Sequence, residues 1–238
     1  MMRTATSRLL LLATLAAAPL QAQRPAAGPP PHLMIEGVSL ARLNTLTRTL
    51  DEYVAKGSLA GGVLRVQRHG KVVYERAFGM RDREAKDSMR PDAIFRIASQ
   101  TKALVSVGIM MLQEEGKLLI DQPVSRYLPE WEKTTVAVAK NGGGYDVVPA
   151  KRRITIRDLL THTAGIGYGY GPASDQWKAA GIQGWYFADR NETVAAVVKR
   201  MAALPMDAQP GAAFVYGYNI DILGAVLEAV SGLSLAGF

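Results

Sequence analysis

Apolar positions fall at helical spacing across residues 39–56, where Leu40, Leu43, Leu46, Leu50, Tyr53 and Val54 share a face and Gly57 supplies a stop. Two β-rich runs follow at residues 62–68 and 71–79, and the His69-Gly70 pair between them suits a tight turn. This pattern predicts an antiparallel hairpin. Residues 81–92 are charged and turn-rich and read as a loop. Helical spacing returns over residues 99–115, with Ala103, Leu104, Val107, Met110, Met111 and Leu112 available to a core and Gly116 behind them. Residues 117–131 carry Pro123 and Pro129 and read as a surface wrap, and residues 134–150, interrupted by Gly142-Gly143-Gly144, as a flexible excursion. Order resumes at residues 154–161, a glycine-tyrosine loop occupies 165–171, and helical spacing reappears at 192–204 and 220–230. A strand pair followed mainly by helices predicts an α+β fold.

The first residues stand apart from this pattern. Arg3 and Arg8 precede a short apolar run at residues 9–18, and Pro19-Leu20-Gln21-Ala22 offers a small-residue exit. Together they describe a secretory signal peptide over residues 1–22. The run is far shorter than the roughly 20 residues of a spanning helix. No later stretch is long and apolar enough to cross a bilayer, so the expectation is an exported chain, periplasmic or secreted, with no membrane span in its mature form. Residues 23–35 are rich in proline and alanine and read as a linker, leaving residues 36–238 for the folded domain.

Composition narrows the chemistry. There is no cysteine, which removes disulfides, thiol nucleophiles and thiolate metal sites. The net charge of +7 is scattered, and its one cluster, Lys151-Arg152-Arg153, comes without any nucleic-acid-binding signature, so nucleic acid is not an expected partner. His32, His69 and His162 are far apart and no HExxH spacing occurs, so no metal site is expected. No G-x-S-x-G elbow and no phosphate-cradling glycine loop is present.

What remains is Ser99-Gln100-Thr101-Lys102, an S-x-x-K motif at the start of a helical run. Residues three apart on a helix share a face, which brings the lysine amine to the serine hydroxyl. An alcohol needs a neighbour to take its proton during attack, and a lysine can serve if desolvation or a nearby cation lowers its pKa toward neutrality. The motif alone is weak: ten serines and ten lysines give about 0.4 such pairs by chance. The tetrapeptide by itself equally fits an N-cap serine with an exposed lysine.

Its context is more specific. The stretch from Phe95 to Lys102 resembles the active-site entry of class C β-lactamases and their esterase relatives. So do Gly116-Lys117-Leu118, Asp121-Gln122-Pro123-Val124 and Tyr127-Leu128-Pro129-Glu130. Residues 154–166 are similar to that family's LLTHTSGL segment, and Pro210-Gly211-Ala212-Ala213-Phe214-Val215-Tyr216 to the segment bearing its tyrosine. Asp221-Ile222-Leu223-Gly224 and Val230-Ser231-Gly232 continue the series, so the blocks run in order from about residue 61 to the end. The resemblance implies a β-lactamase/transpeptidase-like α+β fold, an antiparallel sheet flanked by helices plus a helical region, with no cofactor. It implies that Ser99 forms an acyl-enzyme and lends its backbone N–H to the oxyanion, that Lys102 accepts or relays the proton, and that Tyr216 shares the shuttle, with Tyr218 as a competitor. His162 is expected to pack, with a hydrogen bond to backbone.

The resemblance has two departures. Where β-lactamases carry Y-x-N, this chain has Tyr216-Gly217-Tyr218 and then Asn219, closer to family VIII carboxylesterases. Tyr218 and Asn219 are the expected substrate contacts, and a small-molecule ester is expected ahead of a β-lactam or D-alanyl peptide. No K-T-G-type third motif is found, so the reading is of a portion of a longer hydrolase with late sheet strands missing, inactive or poorly folded alone. The hairpin is then expected to lack sheet partners. The alternative is a member that binds cell-wall peptides or a partner without turnover.

Overall fold

The computed structural model describes residues 34–188 and 190–238. The proposed leader, residues 1–22, lies outside them, as does most of the proposed linker. Its last two residues are ordered: Met34–Ile35 (β1) pair with Val38–Ser39 (β2), so the folded chain begins before residue 36. The described chain divides into two compact units between Phe95 and Arg96, where the sequence predicted one domain.

The first unit joins β1 and β2 to helix α1 (Leu40–Ala55) and a three-stranded antiparallel sheet. Strands β3 (Gly61–Arg68) and β4 (Lys71–Asp82) form the expected hairpin around His69 and Gly70, whose φ angles of 51° and 75° suit a two-residue hairpin turn. The stretch expected as loop is partly strand. β4 runs on to Asp82, and β5 (Asp87–Ser88) pairs back against it, giving the hairpin a third strand that the charged composition concealed. Helix α1 packs on β4, where the Thr47 and Tyr74 hydroxyls lie 2.9 Å apart and Arg76 donates to the Thr47 carbonyl at 3.0 Å.

The second unit is built around helix α6 (Asn219–Ser231). Ile220, Ile222, Leu223, Ala225, Val226 and Leu227 are all buried in it, and each of the five larger side chains contributes about 1.5–3 kcal/mol of apolar transfer. Packed on α6 are α2 (Thr101–Glu114), α3 (Ile156–Leu160) and α5 (Val194–Met201). α2 and α6 approach closely at Gly108, where an added Cβ would lie 2.6 Å from Leu227 Cδ1. A short helix, α4 (Ser174–Ala179), lies between α3 and α5 in the chain and buries Trp177, whose indole N–H donates to the Pro205 carbonyl at 2.9 Å. No helix among the described residues is long and apolar enough to cross a membrane.

Two expectations for this unit fail. Residues 134–150 form an antiparallel hairpin, β6 (Thr135–Ala139) and β7 (Tyr145–Pro149), in the register Val136 to Val148. The glycine triplet is only its tip; Val136 and Ala137 are buried, and reciprocal 2.8 Å bonds between Ala137, Met206 and Thr135 tie the hairpin to the rest of the unit. Residues 117–131 are not a surface wrap. Leu118, Val124, Leu128 and Trp131 are buried, because the prolines set up 3₁₀ turns that point apolar side chains inward.

A buried ionic cap fixes the start of α3. The Asp158 carboxylate accepts from Arg152 at 2.6 and 2.9 Å, from the Thr155 N–H at 2.9 Å and from the Thr155 hydroxyl at 2.8 Å, while Thr155 accepts from the Asp158 N–H. Burial works to raise the Asp158 pKa, but Arg152 and Thr155 outweigh it and hold the carboxyl below its ordinary 3.8. A lowered pKa means stability that is complete above the ordinary value and lost as pH falls through the lowered one. Asp158→Ala is expected to cost about 1–2 kcal/mol in urea unfolding near neutral pH, a figure discounted because Arg152 is half exposed. An unchanged midpoint would show that the cap contributes nothing.

Candidate functional site

Ser99 is the central residue of a 3₁₀ turn, Ala98–Gln100, that feeds directly into α2. Ala98 before it has a φ of 45°, a left-handed conformation that alanine rarely adopts and that surrounding structure must hold. Lys102 lies in the first turn of α2, and its Nζ donates to the Ser99 Oγ at 3.3 Å, as helical spacing dictates. Ser99 is exposed and Lys102 half-buried.

Tyr216 arrives from a distant part of the chain. The Val215 N–H donates to the His162 carbonyl at 2.7 Å, and Gly217 packs so closely on the 165–171 loop that a Cβ there would lie 2.3 Å from the Gly167 carbonyl carbon. Only glycine permits that approach. The Tyr216 ring then lies 4.9 Å from Lys102 Nζ and 4.7 Å from the His162 ring. The three residues expected to act together are therefore together.

The structure adds two residues that sequence reasoning missed. The Tyr168 hydroxyl accepts from Lys102 Nζ at 3.3 Å, so the ammonium has a second phenol beside it. Asp221, in the first turn of α6, lines the same cavity, of about 480 Å³, with Ser99, Lys102, Tyr168 and Tyr218. Tyr168 had only its place between two glycines to signal it. Asp221 was visible as one of two charges, with Glu228, inside a mainly apolar helical run.

Tyr218 lines the cavity, as a substrate contact would, whereas Asn219 and one contact of His162 depart from expectation. Tyr218 is 1% exposed, donates to the Gly184 carbonyl at 2.9 Å, and stacks on Trp177 at 6.0 Å; Tyr216 is the tyrosine at Lys102. Asn219 is fully buried, and its amide donates to the Ile166 and Val215 carbonyls at 2.9 and 3.1 Å. Its amide nitrogen faces backbone carbonyls, and it is not among the residues lining the cavity. It fastens the glycine-tyrosine loop to the segment carrying Tyr216. His162 packs as expected, between Tyr216 and Phe214, but its buried Nδ1 has no hydrogen-bond partner among the described residues in place of the expected bond to backbone.

The electrostatics reverse one premise. Burial acts to lower the Lys102 pKa, yet its hydrogen bonds to Tyr216 and Tyr168 prevail and hold it above 10.5, so the lysine is an ammonium at neutral pH and not the neutral amine that a base requires. The Tyr216 phenol is held below its ordinary value of 10.0 by the Ser99 hydroxyl first and by Lys102 next. Burial keeps the Tyr168 phenol above the same value despite Lys102, and pushes Tyr218 further up. Burial, with the Lys102 charge behind it, lowers the His162 pKa and keeps that imidazole neutral.

Comparison with known proteins identifies the family and the fold. The family model for Beta-lactamase matches residues 46–238. Esterase EstB of Burkholderia gladioli is 35% identical over 212 residues, covering 87% of this chain and 50% of that protein. The solved structure of EstCE1, a hydrolase with promiscuous acyltransferase activity, superposes with a TM-score of 0.69 at 34% identity, over 83% of this chain and 50% of that one. Simvastatin synthase LovD from Aspergillus terreus gives 0.65 at 26% identity, over 81% and 48%. The chain spans about half the length of the curated relatives it matches. The α+β fold is that of the β-lactamase/transpeptidase group, as the sequence blocks implied.

The three phenols make a spectroscopic prediction. In an absorbance titration, Tyr216→Phe is expected to remove a phenol that ionises below the ordinary tyrosine value, leaving those of Tyr168 and Tyr218 above it. Loss of a late-ionising phenol instead would contradict the assigned polarity.

Proposed function

Since the chain belongs to the beta-lactamase family, we propose that it is a serine hydrolase that cleaves carboxylic esters through an acyl-enzyme on Ser99. The observation that carries this reading is the 3.3 Å contact between Lys102 Nζ and Ser99 Oγ with the Tyr216 ring 4.9 Å from the same nitrogen. A nucleophile needs a base within reach and a charge that steadies the base once it has lost its proton.

The pKa directions support one division of roles. Tyr216, with its phenol lowered, takes the Ser99 proton, and the Lys102 ammonium stabilises the phenolate that precedes this step. Ser99 Oγ bonds to the ester carbonyl carbon, and its own backbone N–H serves as one donor to the oxyanion. The carbon–oxygen bond to the alcohol then breaks, and Tyr216 returns the proton to the leaving alkoxide. Water attacks the acyl-enzyme and Tyr216 takes its proton; as the Oγ–carbon bond breaks and releases the acid, Tyr216 passes that proton to Ser99 Oγ and both residues return to their starting state.

An ester is favoured over a β-lactam by the Tyr216-Gly217-Tyr218 triplet and by Asn219 lying outside the cavity lining. Relatives named as esterases and hydrolases support the same substrate class. The basic, then apolar, then small-residue order of residues 1–22 supports export to the periplasm or beyond.

Labelling with a fluorophosphonate, read by mass spectrometry, tests the reading. An adduct on Ser99 is expected, with labelling slowed by about 100-fold or more in Lys102→Ala and in Tyr216→Phe. Because the reactive form of Tyr216 is the phenolate, the rate is expected to rise with pH and level off below 10.0, the ordinary tyrosine value. An adduct that survives Ser99→Ala would place the nucleophile elsewhere, and none, even in a longer version that carries the late sheet strands, would replace catalysis with non-catalytic binding of a cell-wall peptide or partner.

A further inference from the structure

The acyl-transfer scheme leaves one ionisable group of the cavity unused. Asp221 is half-buried on the cavity wall, and its carboxylate is met only by its own backbone N–H and by the charge of Lys102, with no side-chain hydrogen bond or ion pair among the described residues. Glu192, the other acid of the lining, is already engaged by Arg200 at 2.8 Å and by Tyr186 at 3.1 Å. A carboxylate with no side-chain hydrogen bond in a largely apolar cavity is costly to keep charged, and a second counter-charge bound beside it relieves that cost. Aromatic side chains, which attract cations through their ring faces, line the same space. At about 480 Å³ the cavity falls within the roughly 300–1,000 Å³ of small-ligand sites.

We infer that this cavity accepts esters bearing an aliphatic ammonium group, held by the Asp221 carboxylate beside the aromatic wall of Tyr168, Trp185, Phe187 and Tyr218. The inference rests on the esterase reading and specifies its substrate class. The groups facing Asp221 are Lys102 from α2, Tyr168 from the glycine-tyrosine loop and Tyr218 from the segment before α6. Arg96 and Glu192 are the remaining charged residues of the lining. Lys102 opposes a second cation, but its ammonium is already shared by the Ser99 hydroxyl and two phenols, whereas Asp221 has no comparable partner.

Ionisation sets the pH range. Burial raises the Asp221 pKa to about 6, so the carboxylate is charged above that value. Ammonium preference is therefore present at neutral and basic pH and lost as pH falls below about 6.

The test compares two esters of matched shape, methyl 6-aminohexanoate and methyl heptanoate, binding to Ser99→Ala, which holds them without turnover. By calorimetry at about pH 8 the amino ester is expected to bind about fivefold tighter or more. That preference is expected to vanish in Ser99→Ala/Asp221→Asn, and in Ser99→Ala itself when the pH is taken to about 5. Equal affinities at about pH 8, or a preference that survives both Asp221→Asn and acid, overturns the inference. Hydrolysis of methyl heptanoate by the unaltered protein reports separately on the esterase reading. No turnover with the ammonium preference intact would remove that reading and leave the ammonium site standing.

Discussion

One positive charge organises the site. The Lys102 ammonium is presented by the first turn of α2, and three hydroxyls from three parts of the chain converge on it: Ser99 from the preceding 3₁₀ turn, Tyr168 from the glycine-tyrosine loop and Tyr216 from the segment before α6. The same charge affects its two phenols unequally because their solvation differs. Tyr216 is 43% exposed, so little opposes the pull of Ser99 and Lys102, while burial of Tyr168 outweighs its bond to the same nitrogen. Both phenols in turn keep the lysine protonated. Lysine and Tyr216 are thus poised as an ion pair in waiting, and the division of labour between them follows from exposure as much as from distance.

The site depends on the packing beneath it. α2 holds Lys102 in place because its other side is pressed against α6, where Gly108 allows close contact with Leu227. α6 begins at Asn219, whose side chain secures the loop bearing Tyr168 and the strand-like segment bearing Tyr216. The buried Asn219 amide thus acts as a mechanical tie: its Nδ2 is satisfied by two backbone carbonyls, while its Oδ1 has no hydrogen-bond partner among the described residues.

Much of this was legible in the sequence, for reasons that differ by residue. Helical periodicity marked α1, α2 and α6, and His69-Gly70 marked the first hairpin, because these signals are local. Ser99 and Lys102 could be paired from one turn of helix, and Tyr216 from the order of the motif blocks. The β6–β7 hairpin was hidden by its glycine tip, and the buried stretch around Val124 and Trp131 by its prolines; in both, backbone punctuation masked apolar side chains directed into the core. The burial of Asn219 was not legible, because a motif position does not reveal which way a side chain points. Tyr168 and the protonation of Lys102 were beyond reach, since both depend on contacts between residues 66 positions apart.

The contact between Gly217 and Gly167 couples two things that enzymes often keep apart. The peptide that carries the Tyr216 ring lies flush against the peptide that carries one wall of the cavity, with no side chain to cushion them. A displacement of residues 165–171 that widens or narrows the cavity therefore shifts Tyr216 by the same movement. Cavity shape and the seating of a ring beside Lys102 are mechanically linked on this scaffold: a grafted loop that reshapes the one also moves the other.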